Sequence, residues 1–496
     1  MQTLYKHQVD AVEFAIRNNG TAALFHDPGL GKTRTTLEIF SHYRRQDPSL
    51  RLLVICPLSL INAAWGEDVH KFTAFKYIPY GDIKPGRYNG GADSDIIGIN
   101  YESLITEKRL KEIRALLMSG PWMVAVDESS RMKNHKSITT KALLHLAPLA
   151  KYRIIASGTP APNSEMEFWA QAKFVRADSL PDSFFQFRNT YFHLGRGNQV
   201  MEMKGRVMTR GLMAEIFQHG WKYQITPAQR ELLMAKMTPF CDWVRKEDAL
   251  DLPEKIDEVR QVRLNPNERK MYNEMKVHLI TEIKTGRQLG GVAETKEVTA
   301  QVALAKLMKL RQATSGFLYT EDHTALRPGR SSKMRELADV LEELGQQQVI
   351  IWVQFHEEID VIGKMLTEDG KTFVTLYSKT ENREDSIKDF QDGKAQYLIA
   401  HPKSAAHGLT FVNCSASVFF SLDYSYEAHA QARDRVHRIG QTKSCLYIYL
   451  IAENSIDGMV LDVLNRKKSL QDIFYELVKE EIPDEKIIVD TPHTMS

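Results

Sequence analysis

Three short stretches of this chain carry side chains whose types and spacing could do chemistry on a nucleotide's phosphates. The first is Phe25-His26-Asp27-Pro28-Gly29-Leu30-Gly31-Lys32-Thr33, which follows the apolar run Thr21-Ala22-Ala23-Leu24 and precedes a helical pattern from Thr35 towards Arg44. Glycines let backbone N–H groups close around phosphate oxygens, and a helix N-terminus adds a partial positive charge. Gly29, Leu30 and Gly31 would form the cradle, Lys32 would reach the β- and γ-phosphates, and the Thr33 hydroxyl would ligate Mg2+. The strict motif asks for a glycine where this chain has His26, so a glycine-rich turn closing an ordinary strand–helix unit is the bland alternative. The second stretch is Asp127-Glu128, delivered by the apolar run Trp122–Val126. Two acids at the end of a buried strand suit a carboxylate holding Mg2+ through water, Asp127, beside a general base for an attacking water, Glu128. A solvated turn is the alternative. The third is Gln431 to Gln441, where Arg435 and Arg438 are three residues apart and would share one face of a helix. Two guanidiniums so placed can reach a γ-phosphate and stabilise transition-state charge, against the alternative of an exposed basic helix. Upstream, Gln8 could pair with an adenine edge or lie on the surface of the helix that begins at Leu4-Tyr5-Lys6-His7.

These residues need strands that end where the chemistry is. Leu52–Cys56, Asp95–Asn100, Trp122–Val126 and Tyr152–Ala156 are continuous apolar runs, as expected of strands buried on both faces, with helical patterns such as Leu110 to Leu117 between them. Repeated strand–helix units predict a parallel, doubly wound sheet with ligands at the carboxyl ends of its strands. The fourth run ends in another tight turn, Ser157-Gly158-Thr159-Pro160. From about 165 to 335 the alternation stops and helical, charge-rich sequence takes over. There Phe184, Phe185, Phe187, Tyr191 and Phe192 sit among Arg188, His193 and Arg196. They read either as a surface that stacks on nucleic acid or as a core stripe with solvated arginines. Gly195–Asn198 marks a loop, and Lys204-Gly205-Arg206 is a candidate phosphate contact. A second strand–helix series begins near 335, with strands expected at 349–353, 373–376, 397–400, 417–420 and 446–450 and helices at 359–366 and 383–390. It has no phosphate loop of its own, and two such lobes on one linker suggest a cleft motor.

At 496 residues the chain exceeds a single core, and roughly two to four domains are expected. Its 43% hydrophobic and 26% charged content is that of an ordinary globular protein. With no apolar run near ~20 residues, no membrane span is expected. Met1 to His7 lacks a signal-peptide core, and the widely spaced Cys56, Cys241, Cys414 and Cys445 argue against a zinc site or disulfide framework, so a reducing compartment is expected. A net charge of +2 confines any nucleic-acid surface to a local patch.

Taken in order, Leu4…Gln8, Gly29-Leu30-Gly31-Lys32-Thr33, Asp127-Glu128 and Ser157-Gly158-Thr159-Pro160-Ala161-Pro162-Asn163 resemble helicase superfamily 2. Gln431-Ala432-Arg433-Asp434-Arg435-Val436-His437-Arg438-Ile439-Gly440-Gln441 narrows the resemblance to the Swi/Snf-type DNA-dependent ATPases. Ala405-Ala406-His407-Gly408-Leu409-Thr410 resembles that family's Gly-Leu-Asn-Leu stretch, and the sequence from Arg245 through Leu252-Pro253 to Tyr272 resembles its crossing between lobes, a strand followed by a helix that ends near the tyrosine. The resemblance spans roughly residues 4 to 460. It implies an α/β fold of two RecA-like, doubly wound parallel-sheet lobes with helical insertions between them. The first would cover 1–245 with an insertion at about 165–245, and the second 246–470 with an insertion at about 265–335, leaving a tail at 471–496. It further implies ATP and Mg2+ as cofactors and double-stranded DNA, forked and branched forms included, as partner. The motor would translocate without obligatory strand separation, leading to protein displacement, branch migration or strand annealing. Matching the family's DNA-facing motifs, Asn100, Tyr101, Lys403 and Thr410 would contact DNA. A strand-separating DNA or RNA helicase and an ATP-gated interaction module are the other readings. Two departures stand out: Ser129-Ser130 follow Asp127-Glu128, so the family's histidine relay is unavailable, and Asp423-Tyr424-Ser425-Tyr426 lacks the tryptophan common there. A chain with so little beyond the motor suggests a compact cytoplasmic protein of bacterial or viral source.

Overall fold

The computed structural model describes residues 3–79, 94–162, 164–196, 199–200, 222–288, 307–320, 322, 324–327, 331–405 and 409–465. Asn163, Gly197-Asn198, Lys204-Gly205-Arg206, Ala406-His407-Gly408 and the tail at 471–496 lie outside them. The chain divides into two units, Met1–Asp251 and Leu252–Ser496.

In the first unit, β1 (Thr21–His26), β2 (Arg51–Cys56), β3 (Tyr77–Pro79), β4 (Ile96–Asn100), β5 (Trp122–Asp127) and β6 (Tyr152–Ala156) belong to one sheet. A small antiparallel sheet of β7 (His193–Arg196), β8 (Gln199–Val200) and β9 (Lys222–Gln224) follows, in the order β8-β7-β9. Then β10 (Cys241–Val244) returns to the main sheet, whose order is β10-β1-β6-β5-β2-β4-β3, every pairing parallel. Alternate side chains supply two cores. Leu53, Ile55, Val124 and Val126 pack on one face, and Leu52, Val54, Met123 and Ala125 on the other. That is the period of two expected of strands covered by helices on both sides, and it is why these strands read as unbroken apolar runs.

The second unit repeats the plan. β11 (Lys255–Val262), the hairpin β12 (Leu318–Tyr319) and β13 (Ala325–Leu326), β14 (Val349–Trp352), β15 (Phe373–Leu376), β16 (Tyr397–Ala400), β17 (Ala416–Phe419) and β18 (Cys445–Ala452) are its strands. Six form a parallel sheet in the order β11-β18-β17-β14-β16-β15. The strand runs and both helices expected from sequence are present here, the helices as His356–Glu368 and Arg383–Gln391.

Three expectations need correction. β10 lies in a stretch that reads as helical insertion; four residues at a sheet edge are too short to show a period, and the strand is recognisable only by its partner β1. The helix after β11 runs Pro266–Gln288, so Tyr272 lies near its start, not its end. The aromatic stretch splits as well: Phe187, Tyr191 and Phe192 are core, whereas Phe185 is exposed. Among the described residues, no helix is long and apolar enough to cross a membrane, and all four cysteines are free and buried.

Candidate active site

At the carboxyl end of β1 the backbone turns through two left-handed glycines, Gly29 (φ 89°) and Gly31 (φ 75°), before helix Lys32–Gln46 begins. Only glycine takes such φ values without cost. The loop is pinned on several sides. From helix Lys6–Arg17, the ring Nε2 of His7 and the amide of Gln8 reach the Leu30 carbonyl at 3.0 and 3.3 Å. Gln8 Oε1 accepts from the Tyr5 N–H at 3.0 Å, so one N–H and one lone pair of its amide remain. A Cβ on Gly31 would sit 2.3 Å from Gln8 Nε2, and one on Gly158 would sit 2.6 Å from Pro28 Cδ. The loop and the Ser157–Pro160 turn therefore touch through glycine. On the far side, the Asp27 carboxylate accepts from the Lys246 N–H at 2.9 Å, and the Asp27 N–H donates to the Val244 carbonyl at 3.0 Å.

His26, where a glycine is the strict expectation, proves structural. Its buried ring lies 2.8 Å from the Asp242 carboxylate on β10. Its pKa is lowered, first by burial and further by the charges of Lys32 and His7, against the raising effect of Asp242. The ring fastens the loop to the edge strand.

The Lys32 ammonium donates to the carbonyls of His26 at 2.9 Å and Asp27 at 3.3 Å, across the mouth of the loop. Thr35 and Thr36 turn their hydroxyls back to the Gly31 and Lys32 carbonyls. The Thr33 hydroxyl has no hydrogen-bond partner among the described residues, so it remains available to a ligand.

Asp127 ends β5 and is buried. Its Oδ2 accepts from the Trp65 indole at 2.9 Å and its Oδ1 from the Glu128 N–H at 3.0 Å. Burial raises its pKa, opposed by the Trp65 hydrogen bond, the charge of Lys32 and the Glu128 amide. The Lys32 charge thus acts on Asp127, and both residues lie at or just after the carboxyl ends of strands in the same sheet. Each carboxylate oxygen keeps a second lone pair, and hydroxyl plus carboxylate is a hard-oxygen donor set that fits Mg2+. Glu128 sits partly exposed at φ 55°, ψ 53°, a left-handed conformation that costs a non-glycine about 1–3 kcal/mol. The Tyr101 hydroxyl holds that turn by donating to the carbonyls of Asp127 (2.6 Å) and Glu128 (3.1 Å). Ser129 donates to Gln171 Oε1 at 2.7 Å, and the Gln171 amide donates to the Pro160 carbonyl at 2.6 Å, tying the acidic turn to the next turn along the sheet.

Tyr101 corrects an expectation. It is 3% exposed and its hydroxyl is committed to the acidic turn, so it positions Asp127 and Glu128 and has no free face for DNA. Asn100, half-buried, accepts from the Ser103 hydroxyl.

In the second unit the two arginines come together by a different route from the one expected. Helix Tyr426–Asp434 stops before them. The Arg435 carbonyl accepts from the Phe411 N–H at 2.8 Å and the Val436 carbonyl from the Gln441 side chain at 3.3 Å. With those carbonyls drawn away, the helical ladder cannot continue. Arg435 and Arg438 instead converge on one acceptor, the Leu409 carbonyl, at 2.9 and 3.1 Å. His437 fixes the turn by bonding the Pro253 carbonyl at 2.8 Å. Lys403 is exposed and 3.3 Å from Asp423, and Thr410 is half-buried.

Trp65, Asp242, Gln171 and His437 escape sequence reading because each acts through a partner far along the chain. Only the Asp127–Trp65 contact leaves a trace, as a lone tryptophan after the Cys56-Pro57 strand end.

An SNF2-related domain matches residues 7–316 and a helicase conserved C-terminal domain matches 332–440. Protein p41 of Acyrthosiphon pisum secondary endosymbiont phage 1 is 24% identical over 91% of this chain and 93% of its own length. The transcription regulatory protein SNF2 of Saccharomyces cerevisiae is 24% identical over 94% of this chain, and the ATP-dependent DNA helicase DDM1 of Arabidopsis thaliana is 26% identical over 95%. The chain spans 27% and 62% of those two relatives. The solved Sulfolobus solfataricus SWI2/SNF2 ATPase core in complex with dsDNA aligns over 97% of this chain and 94% of its own, at 23% identity and a TM-score of 0.42.

Proposed function

The chain belongs to the SNF2-related family of helicase-like ATPases, and on that premise we propose that it is an ATP-driven motor moving along double-stranded DNA without obligatory strand separation. One observation carries the reading: the loop bearing Lys32 and the acidic turn Asp127-Glu128 both lie at the carboxyl ends of strands in one parallel sheet, close enough for the Lys32 charge to act on the Asp127 carboxylate, with the turn held by Tyr101. In this reading Gly29, Leu30, Gly31 and Lys32 hold the phosphates of ATP, and the spare amide N–H of Gln8 meets adenine. Thr33 and Asp127 hold Mg2+, which supplies positive charge beside the phosphate oxygens when bound. Glu128 takes the proton of the attacking water. Arg435 and Arg438 enter from the second unit and stabilise the charge that develops on the γ-phosphate.

ATP binding then draws the two units together and hydrolysis releases them, the kind of cycle by which a gripped strand is advanced. The DNA partner takes its support from relatives named for transcription regulation and DNA helicase action. Contacts are with phosphate first, so binding weakens steeply with salt and varies little with sequence; Asn100, Lys403 and Thr410 remain candidate contacts. The test is ATP-driven displacement of a third strand from a DNA triplex, run beside unwinding of a tailed duplex. The motor displaces the third strand and leaves the tailed duplex paired. Unwinding of the duplex would replace this reading with a strand-separating helicase.

A further inference from the structure

Away from the phosphate loop, the first unit carries a cationic and aromatic face that the ATPase chemistry does not use. Its centre is His135, whose ring stacks on Phe184 with centroids 3.6 Å apart and planes 10° from parallel. Phe185, the next residue on helix Phe184–Tyr191, is 55% exposed and stands edge-on to the His135 ring at 6.2 Å. The Arg188 guanidinium lies 5.3 Å from the Phe185 ring and 4.4 Å from that of Tyr223. Lys136 and Lys141 are exposed on either side of the start of helix Ile138–Leu146, and neither makes an ion pair among the described residues.

The charges acting on the His135 ring are Lys136, Arg188 and Lys141, all positive. After burial, they are what lowers its pKa, and among the described residues no acid offsets them. His135 Nε2 is buried with no partner among the described residues. Cations gathered without an anion among the described residues, around an aromatic ring left in solvent, suit a polyanion that also carries flat apolar faces.

We propose that this face binds an unpaired DNA strand, one base stacking on Phe185 while neighbouring phosphates lie against Lys136, Lys141 and Arg188. Stacking on an aromatic ledge beside a positive track is how proteins hold single strands with little regard to sequence. A duplex keeps its bases stacked on one another and offers the ledge only phosphate, so the face selects DNA with a single-stranded arm. The inference rests on the DNA reading above and adds the structure preferred.

The test is fluorescence anisotropy of the full chain with a blunt duplex, the same duplex carrying a single-stranded arm, and the single strand alone. Wild type is expected to bind the armed duplex about tenfold more tightly than the blunt one. Phe185→Ala should abolish that preference and leave blunt-duplex affinity and DNA-free ATP turnover unchanged. Lys136→Ala/Lys141→Ala should weaken single-strand binding and lower the slope of log K against log salt by about 1.4, because two phosphates are no longer neutralised. Equal wild-type affinity for armed and blunt duplexes, or a preference that survives Phe185→Ala, would overturn the proposal while leaving the duplex motor standing. Single-strand binding that depends on Phe185, with no binding of blunt duplex, would support this face and remove the duplex motor.

Discussion

Gly31 meets two constraints at once: its φ of 75° excludes easy substitution, and the Gln8 amide occupies the space a Cβ would fill. Gly31→Ala should weaken ATP binding tenfold or more, since the left-handed conformation alone costs about 1–2 kcal/mol; titration with a fluorescent ATP analogue showing wild-type affinity would contradict this. Tyr101 makes a subtler prediction. Tyr101→Phe keeps the packing and removes the hydroxyl that holds the carbonyls of Asp127 and Glu128. Losing a net contribution of about 1 kcal/mol should lower kcat several-fold, roughly fivefold, with KM for ATP little changed. A KM effect without a kcat effect would mean that Tyr101 does not position the turn. Glu128→Gln should bind ATP and lose at least about a hundredfold in turnover, the scale of general-base catalysis. Lys32, Thr33, Asp127 and Glu128 are legible in sequence because their spacing is local. Tyr101 reads in sequence as a DNA contact, because the direction of a hydroxyl is decided by packing between strands and no neighbouring residue reports it.

At the scale of elements, the largely apolar runs of β2, β5, β14, β16 and β18 announce both sheets, since a strand covered on two faces has no polar side to disguise it. β10 has no such signal, yet through His26–Asp242 and the bond from the Asp27 N–H to the Val244 carbonyl it is the strand that pins the glycine loop. The arginine turn shows the opposite failure. Spacing of three suggests a helix face, and the backbone instead leaves the helix because Phe411 and Gln441 claim its carbonyls. The second unit is also pinned by a buried ion pair. Lys333 on helix Ser332–Leu344 lies 2.5 Å from Asp457 at the start of helix Ile456–Leu464, and that carboxylate also accepts from Thr314 at 2.8 Å and the Ala452 amide at 3.1 Å. Lys333→Met would strand a buried charge and should cost about 3–5 kcal/mol, read as a lower denaturation midpoint. A loss under about 1 kcal/mol would show that Asp457 is sustained by its hydrogen bonds alone.

For the whole molecule, each unit contains a buried histidine with a depressed pKa: His26 in the first, and His429 in the second, where burial and then Arg433 bring it to about 3. The unfolded chain titrates at the ordinary value near 6.5. Between the two values it therefore binds more protons than the folded chain, so stability falls as pH drops below about 6.5. Denaturation midpoints should be flat from pH 8 to 7 and decline towards pH 5, and His429→Phe should flatten part of that decline; a midpoint that rises on acidification would contradict this sign. The two-unit plan and the family are legible in the sequence, because each is written in local motifs and in strand runs that recur along the chain. The contacts that hold the candidate site in place are not, since Trp65, Gln171 and Asp242 act through partners far along the chain. The most direct test is steady-state ATP turnover with Mg2+, measured with and without duplex DNA at low and moderate salt. A DNA-dependent motor predicts turnover that is slow alone, rises at least about tenfold with duplex, and loses that rise as salt displaces the DNA; equal rates with and without DNA would contradict it.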